Sequence, residues 1–455
     1  MEYQLPKSLG IIIAVFFSVS VFTCLFLGVS LMIGLGVTLT LAMSVLKMRG
    51  IPIRKSLKWL YEGILSIKDI FIVVLLIGVN VSMWISSGIV PGLIYYGFDV
   101  VGNVHFLLFA YLMSAVVAFF LGTGLGTIST IGIALFSLGI SVGMPKGILV
   151  GAIISGAYVA DRLSPISALV NFTIKTVDVP FKSYFKKTLS VMIPAGALTA
   201  VMYYLLSVRY TSVISLSEII AYKSEIASTF EITPLLFAIP IAVLWASFRG
   251  VNSKWVLGGG ILAAAIVTVV LQDRTFSEIV RFSLTGFETE STAAFIQSLE
   301  IGGAIPMVEV VLIIMAGISM STLYEKCGWI QPVIDQVASI SNQPVKVLLN
   351  TGLLSTGLNA LTCDQTVGIL VPGKYLKHLF SKYGFDDLTL AQIIANTGTS
   401  LAPLMPWNVN AIIILTVTGV GALEYAPYAF LNWFSFPVAI IMSAYVFRKT
   451  APLIS

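Results

Sequence analysis

Asp161 and Arg162 lie inside an apolar stretch, residues 147–172, and Asp364 lies at the tip where the apolar segment 346–361 gives way to 363–378. Charge in such surroundings is costly, and it is usually kept for function. Hydroxyls and amides crowd around these three. Residues 122–130, Gly-Thr-Gly-Leu-Gly-Thr-Ile-Ser-Thr, supply Thr123, Thr127 and Ser129, and residues 155–167 supply Ser155, Ser164 and Ser167. Asn359 and Thr362 stand in 355–365, and Asn396, Thr399 and Asn408 in 396–408. A carboxylate with neutral oxygens around it is a donor set for a small hard cation, and the same carboxylate can hold a proton instead. We therefore take Asp161 and Asp364 as Na+ ligands and the other residues as the ion- or substrate-binding set. Arg162 is either a partner of Asp161 or a clamp for an anion. Structural readings compete with each of these. Small and hydroxylated residues also mark close helix packing, Asp161 could pair with Arg162, and Asp364 could sit at an interfacial turn.

These tracts interrupt helices, and the interruptions need explaining. Backbone in lipid must be hydrogen-bonded, so unwound chain survives only where protein or a water-filled cavity surrounds it. Glycine permits a turn and proline stops a helix by removing a donor. The breaks come in two pairs. Residues 122–130 and 355–365 share Thr-Gly-Leu, at Thr123-Gly124-Leu125 and Thr356-Gly357-Leu358. Downstream, 155–167 and 396–408 each carry a small-residue tract followed by proline, at Pro165 and Pro403. Interrupted segments at corresponding places in two halves point to a transporter's binding site.

The whole chain must therefore be a membrane protein, and its composition agrees. Hydrophobic residues make up 57% and charged residues 10%, against about 25% charged in soluble domains. A soluble fold could not cover so much apolar surface. We expect an all-α polytopic membrane protein of roughly 11–13 hydrophobic segments. It forms two inverted-topology repeats, each with a re-entrant hairpin and a broken helix. Residues 1–455 form a single transport domain: N-terminal spans at 9–46, one repeat at 69–208, a connecting region at 209–302 and a second repeat at 303–446. Lys47, Arg49, Arg54, Lys55, Lys58 and Lys68 mark loop 47–68 as cytoplasmic by the positive-inside rule. The same rule places 173–187, 374–388 and both termini inside. Trp84, Tyr95, Tyr96, Trp407 and Trp433 read as interface anchors. The expected location is a prokaryotic plasma membrane.

Several segments resemble the NhaC-type sodium/proton antiporter family. They are Ala152-Ile-Ile-Ser-Gly-Ala-Tyr158, Leu163-Ser-Pro-Ile-Ser167, Asp364-Gln365, Pro372, Pro403-Leu-Met-Pro-Trp-Asn408 and Leu423-Glu-Tyr-Ala-Pro-Tyr-Ala-Phe-Leu-Asn-Trp433. The resemblance covers about residues 70–445 and implies inverted repeats with hairpins and broken helices. It also implies exchange of Na+ for H+, although members similar to this family move malate and lactate, or amino acids. The family's motif reads Gly-Asp-Lys-(Met)-Ser-Pro-Leu-Ser-Asp at the first break. Here Arg162 replaces the lysine and Ala168 stands in place of the second aspartate.

The function expected is secondary active transport by alternating access, with Na+/H+ antiport as the leading form. The alternative is a Na+- or H+-coupled carrier of a small organic acid or amino acid, for which Arg162 would face the anion. A channel fits poorly, since two hairpins in one repeated chain leave no oligomeric axis to surround. An enzyme fits worse, because no nucleophile elbow or phosphate loop is present. Cys24, Cys327 and Cys363 are far apart, as are His105 and His378, so no metal spacing arises. No cofactor is expected beyond the transported Na+ and H+. The partners are the bilayer and those ions, with an organic anion or amino acid under the alternative. The net charge of +5 gives no reason to expect nucleic acid, and a homodimer is left open.

Overall fold

A computed structural model describes residues 5–450 apart from 28, 67, 102–104, 166, 211–215, 250, 252, 290–293, 298, 301, 342, 363 and 364. Asp364 therefore lies outside the described residues. Among those described, the fold is helical with no strand. That is what a chain in lipid must do, because a helix satisfies its own backbone. Among the described residues, six helices are long and apolar enough to cross a membrane, or up to nine if each bent pair is one span.

The N-terminal spans are α1 (Lys7–Leu27) and α2 (Leu31–Met48), followed by amphipathic α3 (Ile53–Ser66). The first half of the chain then runs from α4 (Lys68–Ser86) through α5 (Ile89–Val101), α6 (Phe106–Leu121), the one-turn α7 (Gly124–Thr127) and α8 (Ile133–Ser141). A π-turn over Ile128–Gly132 joins the last two. There follow α9 (Lys146–Ala157), the one-turn α10 (Ala160–Leu163), α11 (Ala168–Val177) and the long α12 (Phe181–Arg209). The connecting region holds α13 (Leu216–Thr229), α14 (Ala238–Phe248), α15 (Ser253–Val270), α16 (Phe276–Thr285) and α17 (Ala294–Gln297). The rest comprises α18 (Ala304–Lys326), α19 (Gln331–Ile340), α20 (Pro344–Thr362), α21 (Gln365–Tyr375) and α22 (Lys377–Lys382). It closes with α23 (Asp387–Asn396), the one-turn α24 (Gly398–Leu401), α25 (Val409–Thr418), α26 (Ala422–Tyr425) and α27 (Phe430–Thr450).

One order of elements occurs twice. A hairpin, α6 turning into α7–α8, precedes a broken helix, α9–α10–α11, and a long closing helix, α12. Later α20 turns into α21, then comes the broken α23–α24–α25 and the closing α27. Both closing helices contain an internal proline, Pro194 and Pro437. The shared Thr-Gly-Leu does not follow this order. Thr123 is the N-cap at the first hairpin's tip, where its side chain accepts from the Gly126 N–H. Thr356 and Gly357 lie in mid-α20, and the Thr356 hydroxyl donates to the Gly352 carbonyl. The equivalence is set by where each helix breaks.

The first tip forms because Gly122 takes the left-handed conformation, φ 72°, and its N–H donates to the Ala118 carbonyl. That is the glycine C-cap. Helix α6 packs tightly along α9: a Cβ at Gly156 would press on the Tyr111 carbonyl and come within 2.6 Å of Ser114 Cβ. The two closing helices also meet, and the Tyr203 hydroxyl donates to the Tyr428 carbonyl at 2.6 Å. Outward faces stay apolar, as at Ile193, Ile266 and Ile441, as surfaces in contact with lipid should be. Two of the expected interface aromatics also make contacts within the protein. Trp84 is buried in the core, and Trp407 donates its indole N–H to the Ala360 carbonyl at 2.7 Å, tying the second break to the second hairpin.

Candidate functional site

The one-turn helices α10 and α24 carry the site. Each ends in leucine, Leu163 or Leu401, and each reaches proline two residues later, Pro165 or Pro403. This register matches Asp161 to Thr399 and Arg162 to Ser400. Helix α10 presents its two charges in different directions, since neighbouring helical residues project about 100° apart. The Asp161 carboxylate faces the first hairpin, where the backbone N–H of Gly124 donates to it. A Cβ on Gly124 would stand only 3.1 Å from Asp161 Oδ2, so glycine permits that approach. The Ser167 hydroxyl donates to Asp161 Oδ1 at 3.4 Å and also caps α11 by accepting from the Val170 N–H.

Arg162 turns toward the other half of the chain. Its Nη2 donates to Ser400 Oγ at 2.6 Å on α24, and its Nη1 donates to Ser435 Oγ at 2.8 Å on α27. The Nη1 group also lies 3.7 Å from Met192 Sδ. The Tyr184 hydroxyl donates to the Arg162 carbonyl, which steadies the unwinding backbone. Arg162 is 1% exposed and Asp161 is 8% exposed. Among the described residues Asp161 and Arg162 form no ion pair, either with each other or with another group. Their charges nevertheless act on each other across the break without a direct contact.

The four breaks come together. Asp161 joins the first hairpin to the first broken helix. Ser355 lies against Gly398, within 2.7 Å of where its Cβ would be, and joins the second hairpin to the second broken helix. The Arg162–Ser400 contact then links the two broken helices.

Not every residue expected at the carboxylate is there. The Ser155 hydroxyl is occupied by Tyr203 Oη at 2.8 Å and by the Leu431 N–H, so it belongs to the contact between α9 and the closing helices. Thr127 and Ser129 donate to backbone carbonyls of their own turn, those of Thr123 and Gly126. The first hairpin thus offers Asp161 a backbone N–H rather than the hydroxyls of Thr123, Thr127 and Ser129. Ser164 Oγ is buried next to Asp161 in sequence and has no partner. Thr362 donates to the Leu358 carbonyl. Asn408 caps α25, accepting from the Asn410 N–H and side-chain amide. Asn359, Asn396 and Thr399 each retain a buried polar atom without a partner.

Ser435 and Tyr184 are residues that sequence reasoning did not single out, and Gln365 entered it only through the family resemblance at Asp364-Gln365. Gln365 opens α21 at the second hairpin tip, and its amide donates to the Thr399 carbonyl at 2.9 Å. A polar residue beginning the helix after a hairpin was the available signal for it. Ser435 sits in an apolar helix and also donates to its own helix's Leu431 carbonyl, the ordinary role of serine in such a place, so nothing marked it.

A large cavity lies elsewhere. About 720 Å³ opens between α1, α19 and α20, with Gly10, Trp329, Leu353 and Leu361 among its walls. It contains neither Asp161 nor Arg162, and its mostly apolar lining suits lipid rather than ions. Among the described residues no group of three or more His, Cys, Asp or Glu side chains could hold a metal ion.

Residues 156–446, well over half of the chain, match the Na+/H+ antiporter family. The chain belongs to that family. It is 28% identical over 397 residues to the Na+/H+ antiporter NhaC of Bacillus subtilis, covering 86% of this chain and 87% of that one. It is 27% identical over 450 residues to the malate-2H+/Na+-lactate antiporter of the same organism, covering 97% and 95%. A third relative is the arginine/ornithine antiporter ArcD of Halobacterium salinarum, 28% identical over 384 residues, covering 84% and 78%. Each is named as a transporter, and this Na+/H+ antiporter family chain is a multi-pass membrane protein.

Proposed function

We propose that the protein exchanges Na+ for H+ across the cell membrane by alternating access, with Asp161 as the carboxylate that holds either ion. The observation that carries this is a buried carboxylate, in direct contact with no cation among the described residues, at a helix break against a hairpin tip. A buried carboxylate that no counter-charge touches is costly. Either Na+ or a proton removes that cost, and binding one displaces the other. Exchange follows if the site opens to only one side at a time. The repeated order of elements supports this, since rocking two inverted halves about a central site gives alternating access. In this reading loops 47–68, 173–187 and 374–388 face the cytoplasm, the termini do likewise, and no cofactor is required.

A second reading, a coupled carrier of a small organic acid or amino acid, rests on Arg162. Its guanidinium is buried and, among the described residues, is hydrogen-bonded to serine hydroxyls and a thioether with no direct ion pair, so its charge could meet a substrate carboxylate. The malate/lactate and arginine/ornithine antiporters among the relatives agree with it.

Reconstitution into proteoliposomes separates the two. A Na+ gradient should drive proton movement in the wild type, and Asp161→Asn should abolish it while the protein still inserts. Arg162→Gln should reduce exchange less than Asp161→Asn under the first reading. Under the second, it should abolish gradient-driven uptake of malate, lactate or arginine. Undiminished exchange by folded Asp161→Asn protein refutes the proposed role of Asp161.

A further inference from the structure

We propose that the groove between α1, α19 and α20 binds one phospholipid with an ethanolamine headgroup, its acyl chain lying along α20 and its headgroup meeting Lys7 and Asp335. The proposal does not depend on which ion or substrate the protein carries, because the groove shares no residue with the contacts of Asp161 and Arg162.

Helix α20 turns one stripe toward the groove. Asn350, Leu353, Gly357 and Leu361 follow at steps of three or four residues, as one helix face requires, and all of them line it. Thr362, the last residue of α20, ends the stripe beside the second hairpin's tip. From Asn350 to Thr362 the helix rises about 18 Å. Half of a hydrocarbon core about 30 Å thick is about 15 Å, so the groove is about as long as one leaflet is deep. Gly357 is a notch in this wall, where a Cβ would meet nothing within 4 Å. The facing wall on α1 is built from small residues, Gly10 and Ala14. The volume, about 720 Å³, falls in the range of about 300–1,000 Å³ found for ligand pockets.

The groove is open to the bilayer. Ile11, Val333, Ile340 and Leu353 line it from three helices and are still 42% to 63% exposed. Moving an acyl chain from bilayer to groove gains no hydrophobic energy, since both surroundings are apolar. Preference for one lipid must therefore come from the headgroup. Lys7 at the start of α1 and Asp335 on α19 are both exposed, and both line the groove. The Gln331 amide donates to Asp335 Oδ1 at 2.9 Å, which orients the carboxylate. One positive and one negative side chain match a headgroup with both charges, its phosphate at Lys7 and its ammonium at Asp335. A purely anionic headgroup would bring like charge to Asp335. Choline has no N–H to donate to that carboxylate, whereas a primary ammonium has three.

A chain seated here packs against the second hairpin just below its tip. In the exchange proposed above that hairpin has to move as the site changes sides. The bound lipid would then favour the arrangement in which the groove is formed, because a ligand shifts a conformational balance toward the state it binds better.

The test is lipid-dependent thermal stabilisation of delipidated full-length protein in detergent, since a ligand that binds the folded state raises its melting temperature. Phosphatidylethanolamine added in mixed micelles should give a saturable rise. Its half-saturating concentration should be roughly two- to fivefold below that of phosphatidylglycerol or phosphatidylcholine, the size of effect expected of exposed charge pairs. Lys7→Gln with Asp335→Asn should keep the rise and remove the preference. Gly357→Ala should keep both. Gly357→Leu puts a longer side chain into the groove and should lose the rise, while melting no lower than wild type without lipid, because leucine is the better helix former. Ala14→Leu fills the groove from α1 and is the second probe. Equal responses of the wild type to all three lipids mean a belt of bulk lipid and overturn the proposal, as does the absence of any rise. A rise that survives both Gly357→Leu and Ala14→Leu overturns it equally. None of these failures touches ion exchange at Asp161, which is read in proteoliposomes.

Discussion

Replacing Arg162 by lysine keeps the charge and removes the fork. Arg162 reaches Ser400 and Ser435 at once, through Nη2 and Nη1 at 2.6 and 2.8 Å. A lysine ammonium is a single point on a flexible stem and cannot span two hydroxyls held in that geometry. One charge-assisted hydrogen bond is therefore lost, worth about 1.5–3 kcal/mol. That bond joins α10 of the first half to the second half. Its loss should favour states in which the halves have parted by roughly 10- to 150-fold. Such states can be counted by thiol modification. Ser164 Oγ is buried and has no partner, so Ser164→Cys in a protein freed of its natural cysteines reports opening beside α10 at little cost of its own. The rate with a small thiol reagent should rise by that factor when Arg162→Lys is added. A rate within about twofold of the parent, in protein that still folds, would refute the idea that the fork holds the halves together.

Three further outcomes are expected. Gly156→Ala should lower the melting temperature through a loss of about 1–3 kcal/mol, because its Cβ meets backbone of α6 at Tyr111 and Ala115, which cannot swing aside. Gly357→Ala, where a Cβ meets nothing within 4 Å, should instead be neutral or stabilising by up to about 1 kcal/mol as a helix-interior glycine replaced. Cysteines introduced one at a time into 47–68, 173–187 and 374–388 should resist an impermeant reagent applied outside intact cells, and labelling in any one of the three loops contradicts the inverted arrangement.

Much of the fold was legible because lipid leaves the chain few choices. An apolar run must be a helix, and a tract of Gly, Ser and Pro inside one must be a break buried in protein. The hairpin of α6 to α8 and the broken helix around Asp161 follow from that argument alone. What failed was register. The tripeptide shared by Thr123 and Thr356 looked like a repeat, yet one copy caps a tip and the other lies inside α20. Three residues carry no information about where a helix ends. Side-chain direction was equally hidden. Ser155 sits six residues before Asp161 and turns toward Tyr203, while Arg162, adjacent to Asp161, turns toward Ser400 and Ser435 far along the chain. Serine in an apolar helix normally satisfies itself on its own backbone, so no local pattern announces that one of them receives a buried guanidinium.

The contact between Arg162 and Ser400 joins corresponding residues of two similar halves. In a symmetric pair, a residue whose counterpart touches it lies at the rotation axis and meets its own copy. Two identical polypeptides of this shape could not both carry arginine there: the guanidinium groups would face each other without water between them, at a repulsion of about 4 kcal/mol for about 4 Å separation and an intermediate dielectric. Serine facing serine would be tolerated, but neither copy would then carry the buried cation. Only when the two halves differ in sequence can the axis be occupied by a donor from one side and an acceptor from the other. Divergence of the halves is in that sense a requirement of this contact, and an attempt to replace both with one interchangeable half-chain should fail first at this position.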